Sequence, residues 1–148
     1  MGFKITNDTD TNFGGTYQVA LIKANFKDLE NLFGPAHEDD NHKVSGVWYF
    51  VDDDNNIITV YDWKQTTLYD ASRYTIEQFR NLEVAEFSVG SNSNETANLF
   101  NEWLQPQLSS KKYSFITLKE YRRKVAQIYD SLDENNQQSV LQLIDNIY

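Results

Sequence analysis

VWYFVDDDNNIITVYDWK, residues 47–64, sets two aromatic and β-branched runs on either side of a polar turn, and its register decides the fold. Suppose strands Val44–Val51 and Ile57–Lys64 flank a turn at 52–56, so that Val51 faces Ile57. Phe50 then pairs with Ile58 and Trp48 with Val60, and Gly46 stands opposite Asp62. Side chains alternate across a strand. One face therefore carries Trp48, Phe50, Ile58 and Val60, all apolar, and is the expected core. The other carries Val47, Tyr49, Val51, Ile57, Thr59, Tyr61 and Trp63. It is apolar near the turn and amphipathic elsewhere, because tyrosine and tryptophan join an apolar body to a polar tip. Two readings stay open for this face: helices cover it, or it is left partly open as a recognition surface, where such residues are favoured. A turn shorter by one residue would exchange the two sets on one strand.

Working outward from the hairpin, residues 1–12 read as a polar, loose lead-in and FGGT (13–16) as a turn into a strand over Thr16–Ala24. Asn25 is a fitting N-cap, with Asp28 three residues on. Phe26, Leu29, Leu32 and Phe33 make one apolar helical face, which Gly34 and Pro35 stop. YTIEQFRNL (74–82) spaces Ile76, Phe79 and Leu82 for a short helix, and Val84–Val89 reads as a fourth strand. A helix from Glu95 to Leu104 follows, limited by Pro106. Thr117 and Glu120 form a capping box before a stripe of Leu118, Tyr121, Val125, Ile128 and Leu132. Asp133 opens a last helix with Val140, Leu141, Ile144, Ile147 and Tyr148 as its stripe. The expectation is α+β: a small antiparallel sheet of about four strands packed with helices in 1–110, plus a C-terminal helical hairpin over 111–148.

At 148 residues the chain is expected to be one domain, or one domain with an appendage, able to bury about 68–70% of its unfolded surface without a metal or disulfide. It has no cysteine, which excludes disulfides, thiolate catalysis and cysteine-held zinc or iron–sulfur sites. Its 13 basic residues stand against 22 acidic ones, a net charge of −9. That balance opposes a generic nucleic-acid or anionic-membrane binder, whose affinity comes from neutralising phosphates. No run is long and apolar enough for a membrane span, and the expected location is cytoplasmic. MGFKIT fits the short myristoylation pattern, but no polybasic patch follows.

Each candidate site has a plainer alternative. Asp52, Asp53 and Asp54 cluster carboxylates as calcium sites do. The EF-hand spacing fails, however: Ile57 holds the glycine position and Trp63 that of the bidentate glutamate. HEDDNH (37–42) places the two histidines beside three acids, yet reads as well as a polar loop. Gly90, Ser91 and Asn92 lie where a strand ends and a helix begins, a place where free N–H groups can hold an anion. The alternative is that the same stretch merely caps the helix. Asp62 and Glu86 are two carboxylates available for acid–base work, with nothing in their spacing to single them out. YRRKV (121–125) reads as a solvated basic helix face. No metal and no cofactor is expected.

Several motifs occur in a fixed order: FGP (33–35), KVSGVWYF (43–50), VYDWK (60–64), FSVGS (87–91) and then Ala97. This ordered set resembles a largely uncharacterised group of small proteins from phages and large DNA viruses. Those carry an F-G-x-P helix end, K-V-x-x-x-W and I-Y-[DN]-[WY]-K strands, and a W-H-I-G-G turn. The match covers roughly 14–104 and departs at the last motif, where Phe87, Ser88 and Ser91 replace Trp, His and Gly. A role for that histidine does not transfer. The resemblance implies a viral accessory protein and brings no known reaction with it.

The expected function is non-enzymatic binding of a host or viral protein partner, as an acidic inhibitor of a host defence factor. The contact residues are Tyr49, Thr59, Tyr61, Trp63 and Asp52–Asp54, and the acidic stretches 38–40 and 52–54 would stand in for phosphates. The rival readings are single-stranded nucleic-acid stacking on the sheet, which the charge disfavours, a small-anion site at Gly90–Asn92, and an assembly role with the C-terminal helices joining copies.

Overall fold

A computed structural model describes residues 2–6, 16–38, 43–108, 112–134, 136–138 and 141. Six strands make one antiparallel sheet: β1 (Lys4–Ile5), β2 (Tyr17–Ala24), β3 (Val44–Val51), β4 (Ile57–Trp63), β5 (Ala85–Ser91) and β6 (Ser114–Thr117), in the order β1-β3-β4-β5-β2-β6. The helices are α1 (Phe26–Phe33), α2 (Ile76–Arg80), α3 (Asn94–Leu104) and α4 (Leu118–Ser131), and a 3-10 turn spans Gln105–Gln107.

The hairpin has the expected register. Val51 pairs with Ile57, Phe50 with Ile58 and Trp48 with Val60, and β5 continues the ladder with Val89 beside Val60. Near its far end β3 bulges between Val44 and Val47, setting Ser45 and Gly46 together against Asp62. Trp48, Phe50, Ile58 and Val60 are buried with Ala20, Ile22, Phe87 and Val89. Helices α1, α2 and α3 cover this face, contributing Phe26 and Leu29, Phe79, and Ala97, Phe100 and Leu104. The packing is aromatic: Phe33 meets Phe50 edge-on at 4.9 Å, and Phe50 lies 4.9 Å from Phe100.

Local chemistry places these helices. Asn25 caps α1 by accepting from Asp28 N–H, and its amide also donates to the Leu82 and Glu83 carbonyls, tying the α1 start to the segment before β5. Gly34 ends α1 with φ of 83°, a conformation that favours glycine, and its carbonyl accepts from Trp48 Nε1 at 2.9 Å. Thr75 and Gln78 form a reciprocal capping box on α2.

The sheet has six strands where about four were expected. The additions are both at edges and short. Lys4–Ile5, within the expected loose lead-in, pairs with β3, and Phe3 beside it packs on Phe100 at 5.3 Å. Ser114–Thr117 pairs with β2, so the chain beyond 111 returns to the sheet. Thr117 then caps α4 by accepting from Glu120 N–H, the first half of the expected capping box. Of the expected C-terminal hairpin, α4 is present. Asp133 accepts from Asn136 N–H at the start of the next helical stretch, and most of that second helix lies outside the described residues. The FGG part of the first turn and 39–42 of HEDDNH also lie outside them.

Candidate functional site

The second sheet face divides into three zones along the strand order. At the β2–β6 side, α4 packs across the strands, burying Leu118 and Val125. The two layers do not close completely. Between them lies a cleft of about 530 Å³, lined by Leu21, Ile116, Val125 and Ile128, with Glu86 and Lys23 on the sheet side. Ile128, on the expected buried stripe of α4, is 52% exposed at this opening. Lys23 and Glu86 are cross-strand partners, yet no ion pair joins them. Glu86 accepts one long hydrogen bond, 3.3 Å from Gln65 Nε2. Burial raises its carboxyl above the ordinary range, against the pull of Lys23 and the Gln65 bond. Burial also raises the Tyr121 phenol, and the Glu86 charge adds to it.

At the middle, Tyr61 and Trp63 meet edge-on at 6.2 Å. The Lys43 and Lys64 ammonium groups lie over the Trp63 ring at 5.4 and 5.7 Å, and Lys64 also lies 5.3 Å over Tyr69. Lys64 adopts φ of 57°, which turns the chain out of β4. Tyr61 is half-buried, and burial pushes its phenol up to about 12. Thr59 is buried against Gly90, where an added Cβ would collide with Thr59 Oγ1. That close strand contact explains the glycine.

At the hairpin tip, Tyr49, Val51 and Ile57 are half-buried, and the His37 ring lies 5.6 Å from Tyr49. Asp53 and Asp54 are exposed. Asp52 is turned inward: its carboxylate accepts from Asp54 N–H, Asn56 N–H and Asn56 Nδ2, and so holds the turn. Of the seven contact residues read from the sequence, Asp53 and Asp54 are exposed at the tip, Tyr49, Tyr61 and Trp63 are half-buried, and Asp52 and Thr59 are buried structural groups.

The remaining sequence candidates resolve into separate places. Ser91 is fully buried and donates to the Ile57 carbonyl, Asn92 is exposed, and the α3 cap is Ser93, which accepts from Thr96 N–H. The expected anion turn is thus a capped helix start. Asp62 and Glu86 lie on opposite faces of the sheet. Asp62 faces the core, where it accepts from Ser45 N–H, Gly46 N–H and the Ser45 hydroxyl. Burial raises its carboxyl while those bonds oppose the rise. Among the described residues no group of three His, Asp or Glu side chains is placed to hold a metal, and no helix is long and apolar enough to cross a membrane. The cleft has no single local sequence signature: Leu21, Glu86 and the stretch holding Ile116 and Val125 come from three separated segments. Its one linear trace is the apolar stripe of α4, longer than the sheet beneath it can bury.

No model of a known protein family matches the chain, and a search of curated proteins finds no match.

Proposed function

We propose that this chain is a non-enzymatic accessory protein that binds a basic protein partner through the tip of the β3–β4 hairpin. The observation that carries it is the arrangement at that tip. Half-buried Tyr49, Val51 and Ile57 form an apolar strip on the second sheet face, and exposed Asp53 and Asp54 border it. An aromatic anchor with a charged rim is what a protein contact needs: the anchor supplies buried area and the rim supplies steering. A net charge of −9 favours a basic partner. The viral setting rests on the motif resemblance. In that setting the partner is a host defence factor whose nucleic-acid surface the acidic tip occupies in place of phosphates.

The test is affinity capture from host lysate at low and high salt, with tip variants beside the parent chain. One partner should be retained by the parent, weakened by salt, and lost with Tyr49→Ala and with the charge reversal Asp53→Lys/Asp54→Lys. A partner held equally by both tip variants contradicts this assignment, as does capture that salt does not weaken.

A further inference from the structure

The cleft under α4 is separate from the hairpin tip and has its own chemistry. Its walls are hydrocarbon, from Leu21 and Ile116 on the sheet and Val125 and Ile128 on the helix. Its volume of about 530 Å³ lies in the range of small-molecule sites, roughly 300–1,000 Å³. Apolar walls alone name no ligand; the polar groups do. Glu86 is a half-buried acid that, among the described residues, holds one 3.3 Å hydrogen bond and no ion pair, which leaves its carboxylate poorly satisfied where water is partly excluded. The two lysines of the lining stand differently. Lys23 is exposed, and Lys124 is 58% exposed and within 3.9 Å of Glu120. An anionic head group entering far enough to bury its tail would sit against Glu86. A cationic one would complete it.

We propose that this cleft binds a small amphiphilic amine, with its hydrocarbon chain between α4 and the sheet and its ammonium on the Glu86 carboxylate. The groups facing Glu86 are Lys23 from β2, Gln65 from the segment after β4 and Tyr121 from α4, and Lys124 of α4 lines the same cleft. Of these Lys23 and Lys124 are cationic, Gln65 is neutral, and the raised Tyr121 phenol stays neutral. Binding therefore requires ionised Glu86 and weakens as the pH falls through its titration.

The probes are octylamine, octanol and octanoate, titrated calorimetrically into the full chain at neutral pH. Octylamine should bind at least about tenfold tighter than octanol, and octanoate more weakly than both, since a desolvated charge pair adds to the shared tail. Glu86→Gln should abolish the preference for amine over alcohol and leave octanol binding unchanged. Ile128→Trp, at the half-exposed mouth of the cleft, should block all three. Octanoate binding as tightly as octylamine would overturn the proposal. So would an amine preference that survives Glu86→Gln, unchanged binding in Ile128→Trp, or no binding by any probe.

Discussion

Asp62 shows what a buried acid does when its partners are backbone. It sits opposite the β3 bulge and accepts from two main-chain N–H groups and a hydroxyl. Asp62→Ala leaves those donors buried without an acceptor, at about 1–3 kcal/mol each. Urea unfolding should show a loss of about 3 kcal/mol or more, and Asp62→Asn, which keeps one oxygen, about half of it; equal losses would contradict the capping role. Glu86 behaves otherwise. Its folded carboxyl titrates above the unfolded one, so at neutral pH the native state bears the cost of a desolvated charge, and that cost is relieved as pH falls through the folded value. Glu86→Gln should thus stabilise the chain at pH 7, with the gain shrinking under acid. A gain that grows on acidification contradicts this sign. Tyr61 tests the middle zone from the alkaline side. Its folded value of about 12 exceeds the ordinary 10, so the native state holds the proton longer and stability is lost as pH climbs from 10 through 12. Ultraviolet titration should show its phenol ionising late in the parent and near 10 in the unfolded chain.

At the scale of elements, legibility followed length and periodicity. Strands β2, β3 and β4 were readable within a residue, because each runs seven or eight positions with an apolar face and a turn signal at its end. Helices α1 and α3 were readable from caps and stripes. Strands β1 and β6 were not. Two and four residues carry no period, and β6 pairs with a strand some ninety residues earlier, which no local pattern announces. Helix α4 was foreseen but its seat was not, so the cleft beneath it stayed hidden. That incomplete seat has an energetic signature. Val89→Ala, in an enclosed core position, should cost on the order of 2 kcal/mol or more because a new cavity adds to the lost burial. Val125→Ala, beside space that already exists, should cost about 1 kcal/mol. Thermal unfolding of the pair decides it, and equal costs would mean that α4 is as tightly seated as the core helices.

Across the whole molecule, one sheet separates two kinds of surface. Three helices close the first face into an aromatic core, while α4 covers only the β2–β6 side of the second. The core face and the hairpin register followed from 47–64 alone, because alternation leaves one consistent assignment once the turn is fixed. Which part of the second face stayed open depended on where α4 landed and on Lys43 and Lys64 folding over Trp63, and neither has a sequence period. Under the proposed function, two adjacent residues have opposite roles, Phe50 in the core and Tyr49 in partner contact. The most direct measurement compares Tyr49→Ala with Phe50→Ala for urea stability and partner capture together. Phe50→Ala should lose about 3–5 kcal/mol, whereas Tyr49→Ala should stay folded within about 1 kcal/mol of the parent and fail to capture the partner. A Tyr49→Ala chain that unfolds like Phe50→Ala, or that captures the partner as the parent does, would contradict the account.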